Sequence, residues 1–318
     1  MGRINKIEMK KYLKILGIFS ALLWITPAFA QQDPQYNMYM FNPLSVNPAY
    51  AGSRDALSVA LIHRSQWVGF KGAPTTQNLA IHAPFRGKNM GVGFQVMNDN
   101  IGPKNTLAIS GDYAYKIKLF TGKLGFGIRA SLYNYKFDWS KINYKDTREA
   151  TYNLGRESYF MPSFDFGMYY SDKKNYIGIE ASHLSEDKIG ITDENINKTN
   201  TIEQNAHLTL TAGRAFVIKK DFVFKPSILA RGMVNSPLLL DVNASVFIKQ
   251  TLWLGLSYRK RYGMATLIEY YLTKELRVGY SYDYPFNTLK TGNGGSHEIF
   301  VGFDFDIFKS KLISPRYF

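Results

Sequence analysis

Hydrophobic and polar residues alternate with a period of two along most of this chain. Between 122 and 137, for example, Leu124, Phe126 and Ile128 alternate with glycines and with Arg129. A period of two places successive side chains on opposite faces of a β-strand. Fourteen segments follow this pattern, each with one apolar and one polar face. They lie near 56–65, 75–84, 90–98, 105–117, 122–137, 159–171, 175–184, 205–217, 221–233, 238–249, 251–260, 264–273, 275–284 and 297–308.

The connections between the predicted strands alternate between short and long. Strands of about ten residues, an even strand number, and short turns that alternate with longer loops are typical of bacterial outer-membrane barrels. We therefore predict an all-β fold, a transmembrane antiparallel β-barrel of about 14 strands over residues 56–318, with short periplasmic turns and longer extracellular loops. A soluble secreted β-sandwich or propeller is the alternative. The short connections lie at 86–89, 120–122, 172–175, 219–221, 249–251 and 273–275, and the longer ones include 138–158, 185–204 and 285–296.

The polar faces of the predicted strands carry charges of both signs. A charged side chain that faces lipid near the membrane midplane costs several kcal/mol, so this mixed set favours a polar lumen. Tyrosines cluster at strand ends, which is typical of aromatic girdles at the membrane surfaces. The charged residues are Asp112, Arg129, Asp165, Glu180, Lys225, Arg231, Asp241, Glu269, Arg277, Asp304 and Asp306.

Residues 1–30 have the three parts of a secretory signal peptide. Five basic residues precede or begin an apolar run from 15 to 25, and Ala28-Phe29-Ala30 forms a small-x-small cleavage pattern. The run is too short to cross a membrane as a helix, which takes about 20 residues. We therefore predict cleavage near Ala30, export, and an integral location in the cell outer membrane. An uncleaved anchor is the alternative.

The chain of 318 residues carries 39 basic and 25 acidic side chains, a net charge of +14, and no cysteine. The absence of cysteine excludes disulfides, thiolate metal ligands and a thiol nucleophile. Because the protein is exported, we predict no nucleic-acid partner. The basic surplus of the mature chain falls on the predicted periplasmic turns, where it would contact anionic headgroups of outer-membrane lipids or dock periplasmic partners. This predicted basic face includes Arg86, Lys88, Lys173, Lys174, Lys219, Lys220 and Lys274.

Residues 31–55 precede the predicted barrel and differ from it in pattern. The stretch contains three prolines, two of them in Asn-Pro steps, which disfavour a helix or a long strand. It also carries more apolar surface than a free segment normally exposes to water. We expect a periplasmic segment that plugs the barrel, lines its periplasmic mouth or binds a partner. The apolar residues are Tyr36, Met38, Tyr39, Met40, Phe41 and Leu44.

The motifs of this region resemble the PorP/SprF family of outer-membrane proteins of the type IX secretion system. Gln-x-Asp-Pro-x-Tyr-x-x-Tyr-Met-x-Asn-Pro begins at Gln31 and runs into Asn-Pro-Ala-Tyr-Ala-Gly at 47–52. A second stretch, Arg-Ser-Gln-Trp-Val-Gly-Phe-Lys-Gly-Ala-Pro-Thr, occupies 64–75, and the ending at 314–318 also fits. Asn-Pro-Ala occurs near the start of fatty-acid-transporter barrels as well. An outer-membrane transporter of small hydrophobic solutes is therefore the alternative function.

The resemblance implies a role in the secretion or surface attachment of proteins that carry a type IX sorting domain, such as gliding adhesins. It also implies contact with periplasmic ring or lipoprotein components of the secretion system. The residues of the two motifs either contact a partner or only form the structure of a loop. The candidate partner contacts are Asn47, Pro48, Ala49, Gly52, Arg64, Gln66, Trp67, Gly72 and Pro74.

No motif in the sequence predicts an enzyme. The five histidines show no metal-binding spacing, and neither a nucleophile elbow nor a phosphate-binding loop is present. His82 or His183 beside an Asp would suit a barrel hydrolase, but a histidine in a strand is more often a lumen or girdle residue. The acidic loop at 186–203 lacks the ligand spacing of a calcium site. We predict no catalytic residue, no cofactor and no metal.

Overall fold

The structure is a computed structural model that describes residues 33–85, 87, 89–142, 155–193, 198–234, 236–287 and 292–306. The predicted signal peptide, Arg86, Lys88 and the last twelve residues lie outside these ranges. The strands are β1 (Leu57–Ser65), β2 (Thr75–Pro84), β3 (Met90–Ile101), β4 (Lys104–Leu119), β5 (Gly122–Asp138), β6 (Arg156–Ser171), β7 (Asn175–Ser182), β8 (Lys188–Asp193), β9 (Lys198–Glu203), β10 (His207–Arg214), β11 (Phe216–Lys219), β12 (Phe222–Met233), β13 (Leu239–Ile248), β14 (Leu252–Arg259), β15 (Gly263–Tyr271), β16 (Leu276–Pro285) and β17 (Ser296–Phe305).

The strands close into an antiparallel barrel of 14 strands, as predicted. Each strand pairs with its neighbour along the chain, and β1 pairs with β17 to complete the ring. The hairpin of β8 and β9 stands apart from the ring, and β10 pairs with both β7 and β12. The short strand β11 continues β10 after Ala215 and pairs with β12, so the two form one barrel position.

The two ends of the barrel differ in their connections. We call the end with the connections after β2, β4, β6, β11, β13 and β15 the turn end, and the opposite end the loop end. All fourteen predicted strands are present, and the long predicted loops lie at the loop end. The length pattern is less regular than predicted, because only Gly102 and Pro103 join β3 to β4 at that end. The β8–β9 hairpin lies in a stretch predicted as loop.

The polar faces point into the barrel, as predicted. In β5, Ile128 and Leu132 are 57% and 48% exposed on the outside, whereas Arg129 is buried in the lumen. An apolar exterior is what contact with lipid requires. Two of the predicted lumen charges depart from the pattern, because Arg231 is only half-buried and Asp306 is exposed beyond the end of β17.

Helical structure in the described part of the chain is limited to four short 3₁₀ turns at Tyr39–Phe41, Pro43–Val46, Pro48–Tyr50 and Trp139–Lys141. None of the helices among the described residues has the length and hydrophobicity to cross a membrane.

Residues 33–56, called the inner segment below, lie inside the ring of strands. Met38 and Leu44 have no exposed surface. Asn47 contacts β6 and β7, while Phe41 contacts β14 and β17 on the other side of the ring. The polar lumen is therefore filled by a segment that brings its own apolar and polar side chains.

Candidate functional site

The inner segment runs through the lumen from the loop end to the turn end. Asp33 lies 3.0 Å from Nε2 of His183, which directly follows β7 at the loop end. At the turn end, Arg54 donates to Asp304 at 2.7 Å. The chain then enters β1 and returns toward the loop end. From Asp33 onward these contacts place the segment along the lumen, which is the course of a plug, one of the three expectations for it.

A buried ion cluster holds the segment near the loop end. Arg64, which has no exposed surface, donates to Glu298 at 2.9 Å and also to Asp283. Glu298 accepts two more hydrogen bonds, from the backbone N–H groups of Asn37 at 2.9 Å and Met38 at 2.8 Å. Buried charges of this kind are tolerated only when they are paired and hydrogen-bonded. The cluster therefore ties the segment to β1, β16 and β17 at once.

A second cluster lies in the middle of the lumen around Arg129 on β5. Its guanidinium donates to Asp112 at 2.7 Å and to Asp165 and Glu180 at 3.4 Å. A further N–H of the same group donates to the backbone carbonyl of Leu44 at 2.5 Å. Arg129 thus links charges on three other strands to the backbone of the inner segment.

Asn47 begins the Asn-Pro-Ala motif and is used entirely for internal hydrogen bonds. Its side-chain oxygen accepts from the backbone N–H of Ala49 at 2.9 Å, which caps the 3₁₀ turn that follows. Its amide nitrogen donates to the carbonyls of Met168 and Ile179 at 3.0 and 3.1 Å. These carbonyls belong to the adjacent strands β6 and β7, so one side chain fixes the turn to the barrel wall.

Glycines on the wall make room for the same motif. A Cβ at Gly127 would overlap the backbone nitrogen of Ala49, and a Cβ at Gly125 would lie 2.8 Å from the carbonyl oxygen of Ala49. A Cβ at Gly167 would overlap the side-chain oxygen of Asn47. Glycine in a strand interior often marks the close approach of another backbone. These glycines form a groove in β5 and β6 that receives the motif.

The end of the segment is fixed near the turn end. Lys116 donates to the carbonyl of Ala51 at 2.6 Å, and the backbone N–H of Gly52 donates to His82 at 3.2 Å. Gly52 has a φ of +63°, and a Cβ there would lie 2.7 Å from the Cα of Gly91. Both the dihedral angle and the close approach require glycine at this position.

Aromatic contacts cover the opposite wall. The ring centre of Phe41 lies 6.3 Å from that of Trp253 and 6.2 Å from that of Phe300. The ammonium group of Lys225 lies 4.6 Å from the ring centre of Trp253, within the range of a cation–π contact. The buried lysine is therefore placed against aromatic faces of the wall and the segment.

Little space remains between the inner segment and the wall. Among the described residues, cavities of about 80, 30 and 10 Å³ lie along the segment. The first lies in the loop-end half and is lined by Asp33, Arg129 and His183, among others. Neighbouring cavities share lining residues such as Tyr36 and Tyr39, but each of them is small.

Five of the predicted partner contacts are buried with the inner segment. Arg64 belongs to the loop-end ion cluster, and the other four contact the glycines and backbone of the wall. A partner does not reach a buried side chain, so in this structure these residues hold the inner segment instead of forming a surface. They are Asn47, Pro48, Ala49, Gly52 and Arg64.

The other four candidates form the loop between β1 and β2. The backbone N–H of Gln66 donates to the carbonyl of Pro74 at 2.9 Å, which closes the loop. Trp67 has a φ of +48°, and its indole N–H donates to Tyr262 at 3.2 Å. Gln66 and Trp67 are half-buried, Gly72 is exposed, and Pro74 is buried. The loop end therefore presents part of the motif to the outside.

Sequence reasoning left two accessible apolar residues of this loop out of the candidates. Val68 and Phe70 are 42% and 37% exposed. The backbone of Val68 donates to Gly295 at 2.9 Å and accepts from Gly294 at 2.7 Å, which joins this loop to the connection before β17. The available signal was that Val68 and Phe70 flank Gly69 in a connection between two predicted strands.

Five lysines of the predicted basic face lie at the turn end. The carboxylate of Asp172 accepts from the backbone N–H groups of Lys174 and Asn175, each at 2.7 Å, and so it stabilises the turn. Arg86 and Lys88 lie outside the described residues. The exposed lysines of this face, called the basic turn-end face below, are Lys173, Lys174, Lys219, Lys220 and Lys274.

Comparison with known proteins identifies a family model that matches most of the chain. A family model described as the type IX secretion system membrane protein PorP/SprF matches residues 28–303. No curated protein matches the chain.

Several solved outer-membrane barrels are similar in fold. The toluene transporter TbuX of Ralstonia pickettii has a TM-score of 0.51 at 10% identity, over 84% of this chain and 92% of its own. The P. putida toluene transporter TodX has a TM-score of 0.46 at 9% identity, over 81% and 92%. The NanC porin has a TM-score of 0.36 at 13% identity, over 79% and 99%. At these identities the likeness concerns the fold alone.

Proposed function

This chain belongs to the PorP/SprF family of type IX secretion system membrane proteins, and on that premise we propose that it supports the secretion or surface attachment of sorting-domain proteins such as gliding adhesins. It is an integral outer-membrane β-barrel. In the proposed role it is not an enzyme, and it acts through contacts with the secreted substrate and with periplasmic components of the secretion system.

The filled lumen is the observation that supports this role most strongly. The inner segment is held by buried ion clusters near the loop end, at mid-lumen and near the turn end. A barrel whose lumen is occupied in this way has no path for a secreted polypeptide. Its contribution to secretion therefore comes from its two exposed ends.

Each end suits a different partner. The loop end carries the exposed residues Val68 and Phe70 on a loop that is fixed at both sides. Rigid exposed apolar groups of this kind are suitable for binding an extracellular protein. The basic turn-end face is suitable for an acidic periplasmic partner, because complementary charge guides association.

The proposed role is tested by deleting the gene and measuring which sorting-domain proteins reach the cell surface. We expect one or a few of them to be lost from the surface, or released into the medium, while the outer membrane otherwise keeps its composition. Normal surface display of every sorting-domain protein in the deletion strain would contradict the proposal.

Partner docking is tested by charge reversal on the basic turn-end face. A variant with Lys173, Lys174, Lys219, Lys220 and Lys274 changed to Glu is compared with the loop-end control K136E/K141E. We expect the first variant to lose co-purifying periplasmic components at unchanged barrel levels, and the control to retain them. Equal recovery of the periplasmic components with both variants would contradict docking at this face and would leave lipid headgroups as the partner of the lysines.

Transport of small hydrophobic solutes is the alternative function. The contacts of the inner segment weigh against it, because the cavities found along the described segment are small. Loss of solute uptake in the deletion strain, with surface proteins unchanged, would favour transport over secretion.

A further inference from the structure

Three side chains that could bind a metal ion meet at the loop end of the lumen. They are Asp33 at the start of the inner segment, His183 directly after β7, and His207 at the start of β10. Their ligand atoms all lie within 4.8 Å of one another. His207 is in register with Ser182, the residue before His183. The sequence shows no metal motif because strand pairing, not local spacing, brings these residues together.

His183 is held in an unusual conformation that points it into the lumen. Its φ is +56°, in the left-handed region that non-glycine residues rarely occupy. Its backbone N–H donates to Asp165 at 2.9 Å. Although strand residues normally alternate between faces, both Ser182 and His183 are buried. A strained conformation at a polar residue is characteristic of functional positions.

The two ring nitrogens of His183 have different surroundings. Nδ1 lies 2.9 Å from the hydroxyl of Ser163, and Nε2 lies 3.0 and 3.1 Å from the two carboxylate oxygens of Asp33. Metal-binding histidines use one nitrogen for the metal and donate the other N–H to a polar neighbour, the role Ser163 fits. Ligand atoms of a tetrahedral zinc lie about 3.3 Å apart at ordinary bond lengths. The spacing between Asp33 and His183 is already close to that value.

His207 supplies the second observation. It is 2% exposed, and neither of its ring nitrogens makes a hydrogen bond with another side chain. The backbone of Asn205 is its nearest hydrogen-bond partner, and the geometry of that contact is poor. A buried polar group with so weak a partner is costly. Its ring centre lies 5.6 Å from that of His183. A metal ion bound between the two rings would give His207 a stronger partner.

Acidic and basic groups both surround the site. The adjoining cavity of about 80 Å³ is lined by three carboxylates, those of Asp33, Asp165 and Glu180. Two guanidinium groups, those of Arg129 and Arg231, also line it. The cavity also has room for a water molecule at a fourth coordination position.

We propose that Asp33, His183 and His207 form a binding site for a divalent transition metal such as Zn²⁺. Two imidazoles and one carboxylate suit Zn²⁺, Cu²⁺ or Ni²⁺, whereas Mg²⁺ and Ca²⁺ prefer oxygen ligands. The metal would join the first described residue of the inner segment to β7 and β10, and so it would fix the outer end of that segment in the lumen.

Zinc titration of the full mature protein in detergent tests the site. By calorimetry we expect one Zn²⁺ per chain and no competition from Mg²⁺ or Ca²⁺. We expect D33N, H183Q and H207Q each to weaken Zn²⁺ binding at least tenfold, whereas H63Q, at an exposed histidine on the outer wall, should retain it. Wild-type protein that binds no more Zn²⁺ than H207Q would overturn the proposal.

Electron paramagnetic resonance of bound Cu²⁺ counts the nitrogen ligands directly. Substituting a histidine that has only a structural role would not change this number. We expect coupling to two nitrogens in wild type, D33N and H63Q, and to one in H183Q and H207Q. Because His207 makes no hydrogen bond with another side chain, H207Q should change the metal-free melting temperature less than H183Q does, and it should lose the increase that Zn²⁺ gives to wild type. Unchanged two-nitrogen coupling in H207Q would overturn the proposal.

Discussion

Buried ion pairs on the barrel wall hold the inner segment through hydrogen bonds to its backbone, and the strength of each pair depends on its surroundings. Arg64 and its two carboxylate partners have almost no exposed surface. Arg156 forms a pair with Asp138 at 3.2 Å, but its side chain is 81% exposed. The same chemical pair is therefore present in two environments. Removing one partner of a buried pair leaves an uncompensated charge, whereas an exposed pair is replaced by water.

At the residue scale, we predict that R64M destabilises the protein strongly. Asp283 and Glu298 would stay buried without a cation, which costs about 3–5 kcal/mol. The measurement is the free energy of unfolding by denaturant in lipid vesicles. The matched control R156M removes the exposed pair and should cost at most about 1 kcal/mol. Equal losses in the two variants would show that the Arg64 cluster does not hold the fold.

At the element scale, the strands were predictable, whereas for the inner segment a plug was only one of three expectations and its course through the lumen was not predictable. A strand between lipid and a polar lumen must alternate, so its period of two appears in the local sequence. The inner segment has no period, because its course depends on wall residues far along the chain, such as Glu298 for Asn37. For the same reason, the sequence did not predict that candidate partner contacts such as Asn47 are buried. The burial of Asn47 follows from its contacts with β6 and β7, which are distant in the chain.

Two glycines in neighbouring strands allow a test of how the segment fits the wall. Gly127 faces the backbone of Ala49, while Gly111 has no atom within 4 Å of the position of its missing Cβ. We predict that G127A displaces the inner segment at a cost of about 1–3 kcal/mol, which raises the displaced population up to about a hundredfold. G111A should leave it in place.

The displacement is measurable because the chain has no cysteine. Ser45→Cys places a thiol on the segment beside a lumen cavity. Its reaction with a membrane-impermeant maleimide should be slow in wild type and G111A and faster in G127A. The same slow rate in all three backgrounds would mean that the segment tolerates the added methyl group and that the groove is not specific.

At the scale of the whole molecule, the chain shares the fold of outer-membrane barrels such as TbuX, and its own lumen is filled by the inner segment. An apolar exterior around a polar interior is what a barrel in a membrane requires. In this chain the interior charges are used to bind the inner segment, through Arg64, Arg129 and Arg54. Because these contacts keep the inner segment in the lumen, the conductance of the barrel should depend on them.

We predict that wild-type protein in planar bilayers shows no steady conductance at neutral pH. The cavities along the described inner segment are too small to carry a continuous column of water. R64M and G127A should open the lumen part of the time, because each weakens a different attachment of the segment, and brief openings should then appear at least ten times more often. R156M and G111A should stay closed like wild type. A steady pore in wild type, unchanged by R64M or G127A, would mean that the lumen conducts past the inner segment, and the transport function would then be favoured over docking at the two ends.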